Sequence, residues 1–410
     1  MSKTDAKFWG TALVAPWRAR GRVFLELLEQ RRLSGLIYRG GFELASRSGL
    51  LRSLDWGSSR LATDKISNLS FEKFFFPEAA GSYAPFVAVR GYLPGIIEVA
   101  DDLCLPRRRV FELVVDGPTD WHRDPLGGQR FPRHHWSKLK LPTDTDIKYT
   151  WELGRCYQLT ALARAALATD VERYKEAFRA EWLSLLEANP VGQGIHFTSG
   201  LESAVRIVNM LFSLRIGASI LDGPSERRAL RYIAETARFV WRHIDFARYW
   251  VPNDHILGEL VAVYLAFRAL QIYPHIADRA WTEIQTELLK QFSDDGVYGN
   301  QSVTYQRFAL QWLLLAWRLG AVCGDELTEA AQQRLAASAR FMEAMAGAGE
   351  HAFRYGDDDG GQVLTIDQTA FQDLRPLLAA LGRGGLIEER VPLGEWAFWL
   401  FGAEPAVASP

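Results

Sequence analysis

The sequence has little cysteine, and its three cysteines, Cys104, Cys156 and Cys323, lie far apart. They form no CxxC pair and no disulfide framework, so the sequence predicts three unpaired thiols. No window approaches the roughly 20 apolar residues of a membrane span. The apolar stretch at residues 11–17 is too short for the core of a signal peptide. These absences predict a cytoplasmic protein, or one exported by a route that the sequence does not reveal.

Neither sign of charge is in excess. The 47 basic and 49 acidic side chains give a formal net charge of -2, so no global field attracts nucleic acid or an anionic membrane. A phosphate-cradling glycine loop, a nucleophile elbow and zinc-ligand spacing are also missing. We therefore expect no nucleic-acid partner, no metal and no cofactor.

Amphipathic helices dominate the chain from about residue 146 to residue 346. Apolar residues recur there with helical spacing. The predicted helices are 151–168, 170–187, 199–216, 225–244, 255–273, 277–292, 305–323 and 328–346. Short connections and the lack of strand signals predict a mainly α fold, an incomplete (α/α) toroid of antiparallel helical hairpins. A plain helical bundle is the competing architecture.

The rest of the chain differs in character. Residues 1–140 carry Gly, Pro and Arg clusters and predict an irregular mixed segment that packs on the toroid. Within it we expect helices at 21–32 and 71–76 and a strand at 110–115. The toroid itself is assigned to residues 141–402, of which 353–402 read as rich in strands and loops. The small-residue tail, 403–410, is expected to be disordered.

Two helical segments carry polar residues that amphipathicity alone does not explain. Trp151 and Arg155 share one helix face, and an aromatic ring beside a guanidinium suits a sugar that bears a carboxylate. Stacking of the two in a core is the alternative. Glu202 and Arg206 are also four residues apart, so an intrahelical ion pair competes with substrate binding. His196 precedes a helix cap, where a histidine is commonly a loop hydrogen-bonder.

His255 and Tyr305 stand at the N-terminal tips of two predicted helices. Asn253 or Asp254 can cap the first of these helices, and His255 can pair with Glu259 one turn later. Each residue thus has a structural explanation. These explanations do not account for the fact that two helices begin with His and Tyr at the same end of the array, where the loops are polar.

Five segments together resemble the N-terminal region of the heparinase II/III-like polysaccharide lyases, over about residues 115–402. They are KYTWELGR at 148–155, the block at 189–206, NDHILGE at 253–259, the run at 295–305, and GDDDG at 356–360. The resemblance implies an α/α toroid followed by a domain of stacked antiparallel sheets. It also implies β-elimination of uronate-containing polysaccharides.

Elimination must remove the C5 proton of a uronate, neutralise the neighbouring carboxylate and protonate the leaving oxygen. By resemblance, His255 and the residue before it serve the carboxylate, and Tyr305 is the acid or base. These two are the predicted catalytic residues. The predicted substrate-binding residues are Asn253, Asp254, Trp151, Arg155, Glu202, Arg206, His196 and Gln301.

Three positions depart from the family pattern. Asp254 stands where the family has Asn, Gln306 where it often has His, and Asn300 where a Glu often precedes the Gln-Ser pair. An ionised Asp254 would repel a uronate. The chain also stops where the family's sheet domain, with a further catalytic His, would begin. A separately encoded sheet domain is therefore an expected partner, and family analogy predicts a periplasmic or secreted location.

The sequence thus predicts a polysaccharide lyase that acts on an acidic polysaccharide. A catalytically impaired toroid that binds glycan or assists exopolysaccharide assembly is the alternative, favoured by Asp254 and by the missing sheet domain. A toroid glycoside hydrolase ranks third, because it needs two carboxylates across a cleft. Asp357, Asp358 and Asp359 offer carboxylates in one turn; such a cluster could bind a cation, but a solvated acidic turn is the favoured explanation.

Overall fold

A computed structural model describes residues 33–58, 74–75, 79–141, 145–346, 353–358, 360–367 and 373–402. The helix expected at 21–32, most of that at 71–76, Asp359 and the tail 403–410 lie outside these ranges. Within them the protein is mainly α, as the sequence predicts. None of the described helices has the length and apolar character needed to cross a bilayer.

Four helices and one β-hairpin precede the toroid. They are α1 (Leu33–Ser48), α2 (Leu50–Ser58), α3 (Ala79–Val89), α4 (Leu93–Leu103), β1 (Arg107–Val110) and β2 (Leu113–Asp116). The two strands pair antiparallel, with Val110 opposite Leu113. The single strand predicted at 110–115 is therefore wrong. The chain reverses at Phe111, whose φ of 52° lies in the left-handed region.

The toroid is built from helices that alternate between an inner and an outer layer. Two short helices, α5 (Lys148–Gly154) and α10 (Asp245–Trp250), flank the layers. The inner helices are α6 (Tyr157–Thr169), α8 (Gly200–Ile216), α11 (Asp254–Ala269) and α13 (Val303–Cys323). The outer helices are α7 (Glu172–Ala188), α9 (Gly223–His243), α12 (Pro274–Gln291) and α14 (Glu329–Ala346). Each inner helix packs against the next inner helix, and the outer helices cover them.

Sequence patterning explains this layering. The inner helix α8 is apolar on nearly all sides, and almost every one of its residues is buried. The outer helix α9 buries one stripe only and turns its arginines and glutamates to solvent. A helix that is hydrophobic all round must lie inside, whereas an amphipathic one covers it. The alternation along the chain gives the predicted antiparallel hairpins.

The helix predicted at 151–168 is interrupted. Helix α5 ends at Gly154 and α6 begins at Tyr157, with the fully buried Cys156 between them at a φ of 64°. A non-glycine residue rarely adopts this left-handed conformation, and hydrophobic periodicity carries no sign of it. The break places Arg155 at the junction of the two helices.

An extended segment, 360–367, lies among the inner helices. The Val363 amide donates to Oε1 of Gln311 on α13 at 3.1 Å, and its carbonyl accepts from Nδ2 of Asn209 on α8 at 2.8 Å. The hydroxyl of Tyr157 on α6 donates to the Gln362 carbonyl at 2.5 Å. Three inner helices are thereby joined through one backbone segment.

The C-terminal part then returns to helix. Helices α15 (Arg375–Arg383) and α16 (Glu395–Phe401) pack on each other, and the described residues of 353–402 contain no strand. The prediction of a strand-rich final segment is therefore wrong. The buried Glu395 forms a bidentate ion pair with Arg164 of α6 and accepts a hydrogen bond from the Tyr83 hydroxyl of α3 at 2.6 Å. This cluster ties the two ends of the described chain to the toroid.

Candidate active site

A cleft of about 130 Å³ opens where three inner helices begin. It is lined, among others, by Lys148, Trp151, Arg155, Glu202, Asn253, Asp254, His255, Glu259 and Tyr305. Helices α8, α11 and α13 each present their first turn to this space. Because the N-terminal end of a helix carries partial positive charge, the three ends together favour a negatively charged group in the cleft.

Side-chain caps fix the start of each of these helices. Ser199 accepts the amide of Glu202 at 3.3 Å, and Ser302 accepts that of Tyr305 at 3.2 Å. Asn253, rather than Asp254, caps α11 by accepting the His255 amide at 3.1 Å. Each cap satisfies a backbone donor that the helix leaves unpaired. The caps therefore hold the functional side chains within the first helical turn.

Arg155 and Glu202 form a bidentate ion pair on the floor of the cleft. Nε and Nη2 of Arg155 each donate to a Glu202 oxygen at 2.8 Å, and Nη1 lies 3.2 Å from Glu152. Burial alone would raise the pKa of Glu202. The Arg155 guanidinium outweighs burial and lowers this pKa, and Lys148 and His255 add to the effect. Arg155 is thus held by protein carboxylates. The expected ion pair between Glu202 and Arg206 is not formed.

Glu259 is the most unusual side chain in the cleft. It is 3% exposed and has no hydrogen-bond or ion-pair partner among the described residues, so the pairing with His255 expected from spacing is wrong. Burial raises its pKa well above the ordinary value, opposed by Arg248. A Cβ at Gly200 would lie 2.3 Å from its Oε1, so a larger residue at position 200 would displace the Glu259 carboxyl. A buried, unpaired carboxyl that lines a cleft is typical of functional sites.

Two of the three departures from the family pattern contact each other. Nδ2 of Asn300 donates to Oδ1 of Asp254 at 3.4 Å, and the Asp254 side chain is buried. The carboxyl at position 254 is therefore matched by an amide at position 300. This contact joins the start of α11 to the loop before α13, next to His255 and Tyr305 in the sequence.

Three predicted substrate-binding residues lie outside the cleft lining. Arg206 is 1% exposed and donates to the carbonyls of Gly154 and His196 at 2.6 and 2.7 Å. His196 is equally buried, and burial lowers its pKa well below the ordinary value. Gln301 is exposed, with a φ of 50°. Arg206 holds the end of α5 beside Arg155, and a direct contact of the three residues with substrate stays a prediction.

The other seven predicted residues share the cleft, where their roles stay a prediction. Sequence reasoning missed Lys148 and Glu259 as site residues. Glu259 follows His255 by one helical turn, which is the signal that places it on the same face. Asp357 and Asp358, the candidates for a hydrolase pair, are exposed on the loop whose backbone accepts a hydrogen bond from Ser302. Among the described residues, no cluster of three or more His, Cys, Asp or Glu is arranged to hold a metal ion.

Comparisons with known proteins give little further information. No protein-family profile matches the sequence, and no curated protein matches it. A heparan sulfate lyase HepC mutant from Pedobacter heparinus is similar with 18% identity and a TM-score of 0.45, over 61% of this chain and 38% of that one. The heparinase III BT4657 gene product is similar with 14% identity and a TM-score of 0.43, over 77% and 47%. The chain thus spans less than half the length of each.

Proposed function

We propose that the cleft binds an acidic, uronate-containing polysaccharide and cleaves it by β-elimination. The observation that carries this proposal is the convergence of three inner-helix N-termini on one cleft, which brings His255 and Tyr305 into the same lining. Positive helix ends suit a carboxylate, and a His and a Tyr suit proton transfer. The proposal rests on this geometry and on the motifs of the sequence.

The reaction breaks the C5–H bond of the uronate and the bond from C4 to the glycosidic oxygen. The C5–H electron pair becomes the C4=C5 double bond, and the leaving oxygen takes a proton. Tyr305 serves as the group that exchanges protons with C5 and the leaving oxygen. His255, with the helix ends and Lys148, stabilises the charge that builds on the uronate carboxylate. Burial raises the pKa of Glu259, which favours the protonated form that can donate a hydrogen bond to the same carboxylate.

The experiment is a lyase assay on a panel of acidic polysaccharides, read as the ultraviolet absorbance of the unsaturated uronate product. We expect activity on at least one uronate polymer. Tyr305→Phe and His255→Ala are each expected to lower kcat by about 100-fold or more, because acid–base groups contribute about 10²–10⁴. The matched controls Tyr355→Phe and His275→Ala change exposed residues outside the cleft and should leave kcat unchanged.

No absorbance with any polymer of the panel would refute the lyase. If the protein then still bound a uronate polymer with the same affinity in wild type and Tyr305→Phe, the impaired glycan-binding toroid would be the better description. Loss of all glycan binding would contradict both.

A glycoside hydrolase is the second candidate, because one observation favours it. The cleft holds a carboxyl with a raised pKa, Glu259, and a carboxylate with a lowered pKa, Glu202. Environments that push two carboxyl pKa values apart are how hydrolases separate acid from base. Glu202 is already committed to Arg155, which places this candidate second. New reducing ends without ultraviolet absorbance, abolished by Glu259→Gln, would identify hydrolysis.

A further inference from the structure

A second, larger groove lies outside the cleft. Its volume is about 1310 Å³, above the range of about 300–1,000 Å³ typical of pockets for small ligands. It runs along α4, the β1–β2 hairpin and the face of α6 that carries Tyr157, Gln158 and Arg164. A space of this size and length suits a polymer better than a small molecule.

The groove and the cleft share their walls. On one side, helix α5 turns Trp151 to the cleft and Glu152 to the groove. On the other side, the segment 360–367 lines the cleft with Gly361 and the groove with Thr365 and Asp367. The two spaces therefore adjoin, with helix α5 and this segment between them.

Guanidinium groups and carboxylates are equal in number along the groove, and Arg109 is the guanidinium that its carboxylate holds most loosely. Arg107 and Arg109 both approach the single carboxylate of Asp102, and Arg109, with Nε 3.8 Å from it, is 58% exposed. Arg173 on the facing helix is 55% exposed and pairs with Asp101. Guanidinium groups bind carboxylates and sulfates through paired hydrogen bonds. Arg109 can therefore bind one anionic group of a chain that lies in the groove.

An exposed aromatic ring completes the groove. Phe111 is 40% exposed at the tip of the hairpin, in the left-handed conformation that bulky residues rarely adopt. Its ring packs edge-on against Tyr149, with centroids 5.1 Å apart. Unfavourable backbone conformations that persist concentrate at functional sites. Here the conformation holds an apolar ring at the edge of a polar groove, an arrangement that suits the apolar face of a sugar.

We propose that this groove is an accessory binding site for the same acidic glycan, and that it holds sugar units beyond those in the cleft. Phe111 contacts a sugar face, and Arg109 contacts a uronate carboxylate. This proposal rests on the proposed function, because it takes the glycan as the occupant of both spaces. It makes affinity depend on chain length.

The test compares short and long chains. Oligomannuronates and glucuronate–N-acetylglucosamine oligosaccharides of four and sixteen sugars are titrated into the protein, in the Tyr305→Phe background to prevent cleavage. The test variant is Phe111→Ala/Arg109→Ala. The matched control is Val114→Ala/Arg231→Ala, which removes an exposed apolar and an exposed guanidinium group outside both spaces.

We expect the test variant to bind the sixteen-sugar chain about fivefold or more weakly, as loss of one ring and one guanidinium contact implies, and the four-sugar chain within twofold of wild type. The control should match wild type for both chains. An equal loss for both lengths, or no loss for either, would overturn the accessory site while leaving the cleft intact. Failure of the parent protein to bind any chain would instead refute the proposed function, and the accessory site with it.

Discussion

Two arginines that lie close together in the sequence, Arg155 and Arg164, each form a buried ion pair with a glutamate, but the surroundings of the two pairs differ. Arg155 and Glu202 form the floor of the cleft, with both hydrogen bonds at 2.8 Å. Arg164 and Glu395 join α6 to α16, with the Nε–Oε2 distance at 2.9 Å. The chemistry of the two pairs is the same. What differs is the charge that surrounds each of them.

At the cleft, cations outweigh the cost of burial, so the pKa of Glu202 is lowered. Between α6 and α16, the single guanidinium of Arg164 faces the two carboxyls of Glu395 and Asp367. Burial raises the pKa of Glu395 despite Arg164, and burial and the Glu395 charge raise the pKa of Asp367 to about 7. The comparison teaches that the charges around a buried pair, and not its hydrogen-bond geometry, set its response to pH.

The largest effect is expected from Arg164→Met. Removal of the guanidinium leaves Glu395 buried and unpaired, which costs about 3–5 kcal/mol in the free energy of unfolding. Urea denaturation measures it. The control Arg173→Met breaks an exposed ion pair and should leave the free energy of unfolding nearly unchanged. Equal losses in the two variants would show that the pair of Arg164 and Glu395 does not stabilise the fold as proposed.

Arg155→Met should have a smaller effect, about 2–3 kcal/mol, although it breaks an equally bidentate pair. Glu202 keeps the favourable charges of Lys148 and His255, and the cleft admits water to the carboxylate that is left behind. The same denaturation experiment measures the change. A loss larger than that of Arg164→Met would reverse the ranking of the two sites.

The two sites should respond to pH in opposite directions. Asp367 has a raised pKa, so the folded state holds its proton up to about pH 7 and this contribution to stability falls as the pH rises from about 4 to 7. The advantage of wild type over Asp367→Asn should therefore shrink by roughly 1–2 kcal/mol between pH 5 and pH 8. Glu202, with a lowered pKa, contributes at neutral pH and loses its contribution in acid.

Denaturation of wild type and Asp367→Asn at pH 5 and pH 8, and of wild type and Glu202→Gln at pH 7 and pH 3, tests this pattern, because a carboxyl with a lowered pKa loses its contribution only below its ordinary range. The destabilisation caused by Glu202→Gln should be greatest at neutral pH and should diminish in acid. Parallel curves for wild type and Asp367→Asn would show that the Asp367 carboxyl does not hold its proton as assigned.

The smallest effect is expected from Tyr83→Phe, which removes one hydrogen bond to Glu395 and keeps the ring. The loss should be about 1 kcal/mol. Tyr355→Phe removes a hydroxyl from an exposed ring and should be neutral in the same thermal or urea unfolding experiment. An unchanged Tyr83→Phe protein would mean that Arg164 alone satisfies Glu395.

The layered helices were predictable because their 3.6-residue periodicity is strong, and the positions of His255 and Tyr305 followed from where the helices begin. The turn at Cys156 was not, since a single left-handed residue leaves the apolar pattern intact. Nor was the pair of Arg155 and Glu202, whose members are brought together by the fold from different helices. Local spacing pointed to Arg206 as the partner, and tertiary packing overrode it.

The segment 360–367 offers a way to measure how quickly solvent reaches the centre of the toroid, through hydrogen exchange at its backbone amides. The Val363 amide is bonded to a buried side chain, and Val363 itself is fully buried among the inner helices. Its hydrogen exchanges with deuterium only after the contacts of this segment with α8 and α13 break, so this amide reports how often the segment leaves the inner helices, whereas amides at the rims report local fraying. A glycan that occupies both spaces would touch the two ends of this segment and slow that exchange.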